Sequence, residues 1–169
     1  MIDVRQVSDT PLVLEPDTAE RAALAARFEI VRIEAMRGEM RCARDGAAIN
    51  AHGRLTARIV QACAISGEDL AMAIDEPLTL RFVPATAVTA AEDEIELDAD
   101  ALDEIAYEGT AFDLGEALAQ SLALAIDPFA TGPEADRVRR EFRLDAPERI
   151  GPFAALAALK RDDSPDRNG

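Results

Sequence analysis

Hydrophobic and polar residues alternate along two long stretches in the first half of the chain, and a period of two residues predicts β-strands. Within residues 48–65 one parity is apolar, and its members are Ile49, Ala51, Gly53, Leu55, Ala57, Ile59 and Cys63. The alternation returns within residues 70–83, after the turn sequence SGED. The two stretches therefore predict an antiparallel hairpin of two long strands.

Two residues inside this hairpin predict local irregularities. Gly53 provides no side chain for packing, so it indicates a bend or a bulge in the first strand. Pro77 has no N–H to donate, so the second strand should lie at the edge of its sheet or carry a bulge at that point.

A helical period of apolar residues precedes and follows the hairpin. Residues 17–28 form a short amphipathic pattern, for which Asp17 or Thr18 is the expected N-cap. Residues 113–126 carry a longer pattern, whose apolar stripe consists of Leu114, Leu118, Leu122 and Ile126. Further positions widen this stripe, and they are Ala117, Ser121, Leu124 and Ala125. Both segments predict helices with one buried face.

The sequence also specifies both ends of the second helix. Asp113 and Glu116 have the spacing of a capping box, with aspartate as the N-cap residue. Asp127 precedes Pro128, and a residue before proline is disfavoured in the α conformation, so the helix should end there.

Weaker patterns complete the chain. Short strands are predicted at 31–35, 94–98 and 104–108, a basic turn or helix at 134–142, and a small apolar helix at 151–161. Taken with the hairpin and the two helices, they predict an α+β fold. In this fold an antiparallel sheet of four or five strands carries both amphipathic helices on one face.

The same patterns predict the domain organisation. We expect an extended N-terminal arm over residues 1–16, because this part contains two prolines and little periodicity. A single α+β domain should follow over residues 17–161, and residues 162–169 should form a disordered tail.

Net charge indicates the kind of partner. The 169 residues include 33 acidic and 18 basic side chains, which gives a formal net charge of −15. A protein that binds nucleic acid through its phosphates needs a basic patch, so a basic partner suits this chain better. The simpler alternative is that the acidic surface only keeps the protein soluble.

Acidic residues are most concentrated in residues 92–104, where eight of thirteen positions are acidic and none is basic. This segment and the ends of the second helix are the candidate partner-binding surface. Its residues are Glu92, Asp93, Glu94, Glu96, Asp98, Asp100, Asp113, Glu116, Asp127, Pro128 and Phe129. The alternative is a solvated acidic face without a partner.

No pattern of catalytic, cofactor-binding or metal-binding residues stands out. His52 lies on the polar parity of the first long strand and Cys63 on the apolar parity, so the two should face opposite sides. Structural zinc needs four ligands in closely spaced pairs, which these residues and Cys42 do not provide. We therefore expect no metal, no cofactor, no small-molecule substrate and no enzymatic activity.

The chain also lacks the sequence signals of membrane or secreted proteins. It has no run of about 18 apolar residues and no basic region followed by an apolar one at its start. Its two cysteines do not form a disulfide framework. We therefore expect a cytoplasmic protein that does not bind a membrane.

Several motifs, in this order, resemble the YceD family, the bacterial large ribosomal RNA subunit accumulation proteins, in the form found in alphaproteobacteria. They are ERAALAARFEI, INAHGRLTARIVQACAISGEDL, IDEPLTLRFVP, the acidic segment, DLGEALAQSLALAIDPF and GPFAALAALKR. The resemblance covers roughly residues 17–161. It implies a non-enzymatic factor that is needed for accumulation of 23S rRNA, encoded in relatives beside a small basic ribosomal protein.

The chain departs from the family pattern at two places. Many relatives carry a C-x-x-C motif after the long strand, whereas Ala64, Ile65 and Ser66 follow Cys63 here, so a metal role is not inherited. Relatives like this one often have a basic residue after the D-P-aromatic motif, but here Ala130 and Thr131 follow.

Two functional hypotheses follow. In the first, the protein is an acidic adaptor that holds a basic ribosomal protein or a large-subunit assembly factor. In the second, it binds pre-rRNA directly through a basic segment that consists of Arg137, Arg139, Arg140 and Arg143.

Overall fold

A computed structural model describes residues 1–8, 10–85 and 104–144 of the chain. By its internal contacts the chain divides into two compact units, Met1–Gly132 and Pro133–Gly169. The strands of the first unit are β1 (Ile2–Asp3), β2 (Leu12–Leu14), β3 (Arg32–Asp45), β4 (Ala48–Ala62), β5 (Asp69–Pro84), β6 (Glu104–Tyr107) and β7 (Ala111–Phe112). Its helices are α1 (Thr18–Arg27) and α2 (Leu114–Ala125), and the second unit contains α3 (Ala135–Phe142).

The main sheet has five strands in the order β2-β3-β4-β5-β6, and β1 pairs with β7 in a separate two-stranded sheet. This arrangement confirms the predicted α+β fold. Strand pairs are antiparallel except at the last edge, where β6 runs parallel to β5. A parallel neighbour needs a connection of a dozen or more residues, and 19 residues (85–103) separate Pro84 from Glu104. The elements predicted at 94–98 and 151–161, and the tail at 162–169, lie outside the described residues.

The predicted hairpin is confirmed as β4 and β5, which pair without interruption from Ile49 opposite Phe82 to Ala62 opposite Asp69. At Pro77 strand β5 has β4 on one side and no described strand on the other, because β6 pairs only with residues 81–84. The proline therefore lies at an edge, as its missing N–H predicts.

The prediction of a bulge at Gly53 is wrong. Gly53 pairs in continuous register with Met40 on one side and Leu78 on the other, and the irregularity lies instead between Ile33 and Ala35 of β3. A Cβ atom at Gly53 would overlap the Glu39 carbonyl oxygen and lie 2.8 Å from the Met40 Cα atom. The glycine is thus required for close approach of two strands.

The first residues of the chain are paired with both sheets. Strand β1 places Ile2 opposite Phe112, and β2 places Leu12 opposite Met40. Val4 N–H also donates to the Thr110 carbonyl oxygen at 2.9 Å. The arm therefore runs along two parts of the first unit, and the predicted domain boundaries stay predictions.

Both helices begin at the aspartates that the sequence indicates. Asp17 and Glu20 form a reciprocal capping box with bonds of 2.9 and 2.8 Å. Asp113 Oδ1 accepts from Glu116 N–H at 3.0 Å, but the Glu116 side chain does not return to the cap. Only half of the second predicted box therefore forms.

The stripe of α2 is buried against the sheet, and Leu114, Leu118 and Leu122 are each at most 1% exposed. They belong to the same core cluster as Ala25 of α1 and the inward residues of the strands. Leu124, predicted to widen the stripe, is 87% exposed. Two residues along a helix correspond to about 200° of rotation, so this position lies opposite Leu122.

The opposite face of the sheet is charged and exposed. Arg37 pairs with Glu39 and Glu15, and Arg54 pairs with Asp75 on the neighbouring strand. Many of the basic residues of the first unit are thus held in ion pairs on the face away from the helices.

We predict that Leu118→Ala or Leu122→Ala lowers the free energy of unfolding by about 2–5 kcal/mol, because each leaves a cavity between α2 and the sheet. Leu124→Ala on the same helix is the matched control and should change it by less than about 0.5 kcal/mol. Denaturant titration of the three variants measures the difference. Equal effects at positions 118 and 124 would contradict the buried stripe.

Candidate functional site

A groove with a volume of about 560 Å³ lies between α1 and α2 in the first unit. The chain from the end of β2 to the start of α1 closes one side of it. The described residues that line this α1–α2 groove are Val13, Leu14, Glu15, Pro16, Glu20, Ala23, Leu24, Met36, Asp113, Gly115, Glu116, Leu118 and Ala119. Its floor is apolar and continuous with the core.

Every charged residue among these lining residues is acidic. They are Glu15, Glu20, Asp113 and Glu116, which come from three separate parts of the chain. Carboxylates grouped around an apolar floor create a negative potential, which attracts a cationic group. The structure thus brings two residues of the predicted partner-binding surface, Asp113 and Glu116, together with two that the sequence did not indicate.

Glu116 is the most constrained of these carboxylates. Arg27 donates to its two oxygens at 2.6 and 2.9 Å, and Gln120 Nε2 donates to one of them at 3.1 Å. These hydrogen bonds, chiefly those from Arg27, lower the pKa of Glu116 to about 2. The pair also raises the pKa of Arg27 and joins the end of α1 to the start of α2.

The exit from α2 is held against β4. Gln61 is buried, and its Nε2 donates to the Asp127 carbonyl oxygen at 2.7 Å. Asp127 Oδ1 accepts from Phe129 N–H at 2.8 Å, which closes a tight turn around Pro128. The Phe129 side chain is 80% exposed. The turn therefore presents an aromatic ring outside the core from a fixed backbone.

The Cys63 thiol lies beside this turn, in an environment that the sequence did not predict. Its Sγ accepts from Ser66 N–H at 3.3 Å and from Gly132 N–H at 3.4 Å. These hydrogen bonds, first those from Ser66, lower the pKa of Cys63 to about 7. Burial instead raises the pKa of Cys42. His52 is exposed, so it faces the side of the sheet away from both buried thiols.

The other residues of the predicted partner-binding surface lie outside the described residues, and they are Glu92, Asp93, Glu94, Glu96, Asp98 and Asp100. Within the described ranges no three His, Cys, Asp or Glu side chains are arranged to hold a metal ion.

The basic segment forms α3 in the second unit. Arg137 pairs with Glu134 at 2.6 Å and with Glu141 at 3.0 Å, and Arg139 pairs with Asp136 at 3.2 Å. Arg140 and Arg143 are exposed, and the described residues offer them no ion pair. Half of the candidate RNA-binding arginines are thus neutralised within their own helix.

Comparison with known proteins gives one result. The model of the family described as "Large ribosomal RNA subunit accumulation protein YceD" matches residues 51–160, which include most of β4 and all of β5, α2 and α3. No curated protein and no solved structure gives a significant match. In the part of the chain that the structure describes, no helix has the length and hydrophobicity needed to cross a membrane.

We predict that Glu116 makes stability depend on pH. Its pKa in the folded protein is about 2, against an ordinary value of 4.5. Its contribution is therefore fully present above pH 4.5 and is lost as the pH falls through about 2. Because the pair is partly exposed, we expect no more than about 1 kcal/mol.

Free energies of unfolding measured above and below this interval check the prediction. Glu116→Gln should reduce the loss of stability on acidification, whereas Glu108→Gln, at an exposed position outside the groove, should leave it unchanged. An identical acid response of wild type and Glu116→Gln would contradict the assigned pair.

Proposed function

The chain belongs to the YceD family of large ribosomal RNA subunit accumulation proteins, and from this premise we propose that it is an acidic adaptor in ribosome assembly. Its partner is a basic ribosomal protein or an assembly factor of the large subunit. It acts in the cytoplasm, without enzymatic activity, and supports accumulation of 23S rRNA.

The observation that carries this proposal is the charge of −15 on a protein of a ribosomal RNA family. A protein with this net negative charge would be repelled by the phosphates if it bound rRNA with its whole surface. Ribosomal proteins that bind rRNA are themselves basic, so an acidic surface attracts and orients them before they reach the RNA.

The described surfaces supply the chemistry for such contact. The α1–α2 groove gathers carboxylates around apolar floor residues. The turn after α2 exposes Phe129 from a fixed backbone, and exposed aromatic rings are common anchors of protein interfaces. The acidic residues at 92–100 would add long-range attraction for a basic protein.

The alternative is direct binding of pre-rRNA through α3. It is favoured by Arg140 and Arg143, which are exposed, and it is weakened by the ion pairs of Arg137 and Arg139 with acids of the same helix. An acidic remainder of the protein would then limit non-specific RNA binding.

Affinity capture of the tagged full-length chain from lysate, with and without RNase, separates the two proposals. The adaptor proposal predicts that a basic protein stays bound after RNase, and that Arg140→Ala with Arg143→Ala leaves its capture unchanged. Loss of every captured partner after RNase, or in that double variant, would favour direct RNA binding.

We predict that exchanging Glu92, Asp93, Glu94 and Glu96 for their amides slows association with the captured partner. Removing charge from the steering surface lowers the association rate constant and flattens its dependence on salt. Folding stability should stay within about 0.5 kcal/mol, because the proposal assigns these charges to partner attraction, and solvated charges contribute little to stability.

The matched control removes the same charge elsewhere on the surface, at Glu29, Glu34, Glu76 and Glu108. This control variant should associate faster than the 92–96 variant. Equal rates for the two, together with normal rRNA levels in cells carrying either one, would support a solvated face without a partner.

A further inference from the structure

The α1–α2 groove combines an apolar floor with an acidic rim, so a matching ligand needs both an apolar group and a cationic group. Its floor is apolar, whereas its rim carries only negative charge among the described lining residues. We propose that this groove docks a segment of a basic protein, which inserts an apolar side chain flanked by lysine or arginine. The proposal rests on the adaptor function and names where and how its partner binds.

The floor is preformed. Met36 and Leu118 lie at its base as members of the buried core, and Leu14 and Leu24 are half-buried along its walls. Ala23 is exposed and Ala119 is small, so the two facing helices leave space between them. Binding an apolar side chain here removes apolar surface from water without first rearranging the protein.

The rim retains capacity for cations. A carboxylate has about four acceptor sites, and Asp113 and Glu20 each use one oxygen to cap a helix while Glu15 bonds Arg37. Asp113 Oδ1 also lies 3.8 Å from the amino group of Met1, which leaves its other oxygen open. Glu116 is already engaged on both oxygens by Arg27, so it contributes least. Three carboxylates can therefore still receive lysine or arginine from a ligand.

Size and charge together identify the occupant. A volume of about 560 Å³ falls in the range of about 300–1,000 Å³ typical of ligand sites, which admits a side chain with its flanking backbone. A second copy of this chain would bring a net charge of −15 toward an acidic rim, so self-association is disfavoured. A basic segment complements both the rim and the whole protein.

The neighbouring edge of the sheet favours side-chain insertion over strand addition. Strand β2 has only three residues and lies at one end of the sheet order. Pro11 and Pro16 bracket it, and prolines cannot donate to an added strand. A partner therefore has little backbone to pair with and is held mainly through its side chains.

A variant whose groove is filled by a large side chain tests the proposal. The probe is a short fluorescent peptide with one leucine between pairs of arginines, and binding to the full chain is followed by anisotropy. Ala23→Trp places a large ring in the groove and should weaken binding by ~10-fold or more. Ala26→Trp is the matched control, at an exposed alanine of the same helix outside the groove, and should retain wild-type affinity.

Two further measurements separate the apolar and charged parts. Replacing the leucine of the peptide by serine should weaken binding to the wild-type protein. The same replacement should not change the residual affinity of the Ala23→Trp variant. Glu15→Gln, which leaves Arg37 its bond to Glu39, should weaken binding and lower its dependence on salt. This variant also serves if Ala23→Trp does not fold.

Several results would overturn the proposal. Equal binding of the peptide by the two tryptophan variants is one, and equal binding of the leucine and serine peptides is another. The others are absence of peptide binding and a wild-type dimer that becomes a monomer in Ala23→Trp. In none of these cases does the adaptor function fall, because it is decided separately by the RNase-resistant capture of a basic protein. Failure of that capture with normal peptide binding would instead reject the adaptor.

Discussion

Leu118 of α2 packs over Gly38 of β3, and a side chain at position 38 would have to displace it. This contact lets the helix approach the sheet closely enough to bury its leucine stripe. The start of α2 then follows Phe112, whose ring lies 4.6 Å from that of Phe82 in the sheet. Its end is fixed by the bond from Gln61 to Asp127. The packing of α2 on the sheet therefore sets the positions of the groove floor, the capping aspartate and the exposed Phe129.

Stability and recognition are carried by different atoms of the same elements. Apolar burial between the helices and the sheet is the dominant favourable term in folding. Most of the described carboxylates are exposed, including most of those that cap helices or pair with arginine, and such charges add little to stability. The surface can therefore accumulate a large negative charge without weakening the core. Such a division is compatible with the proposed adaptor, which would attract a basic partner and stay folded when alone.

The hairpin and both helices could be predicted because their periods run unbroken over many residues. Strand β3 was recognised only at its start, because the irregularity between Ile33 and Ala35 moves the buried positions from odd to even numbers. The groove was not predictable, since Leu14, Met36 and Leu118 are distant in sequence and meet only through the pairing of β2 with β3 and the packing of α2 on β3. Likewise Glu116 was predicted as a partner contact, whereas its main contact is Arg27, a long-range pair that no local pattern encodes.

The pairing of β1 with β7 has a consequence for the order of folding. Strands β3, β4 and β5 are sequential neighbours and can pair as soon as they leave the ribosome. Ile2, in contrast, needs Phe112 as its partner. At about 5–20 residues per second, the intervening chain takes roughly 5 to 20 s to synthesise. From completion of β5 at Pro84 until α2 has been made, the inward face of the sheet lacks this helix, so the nascent chain exposes apolar surface to chaperones. Contacts of such high sequence separation also slow refolding of the finished protein.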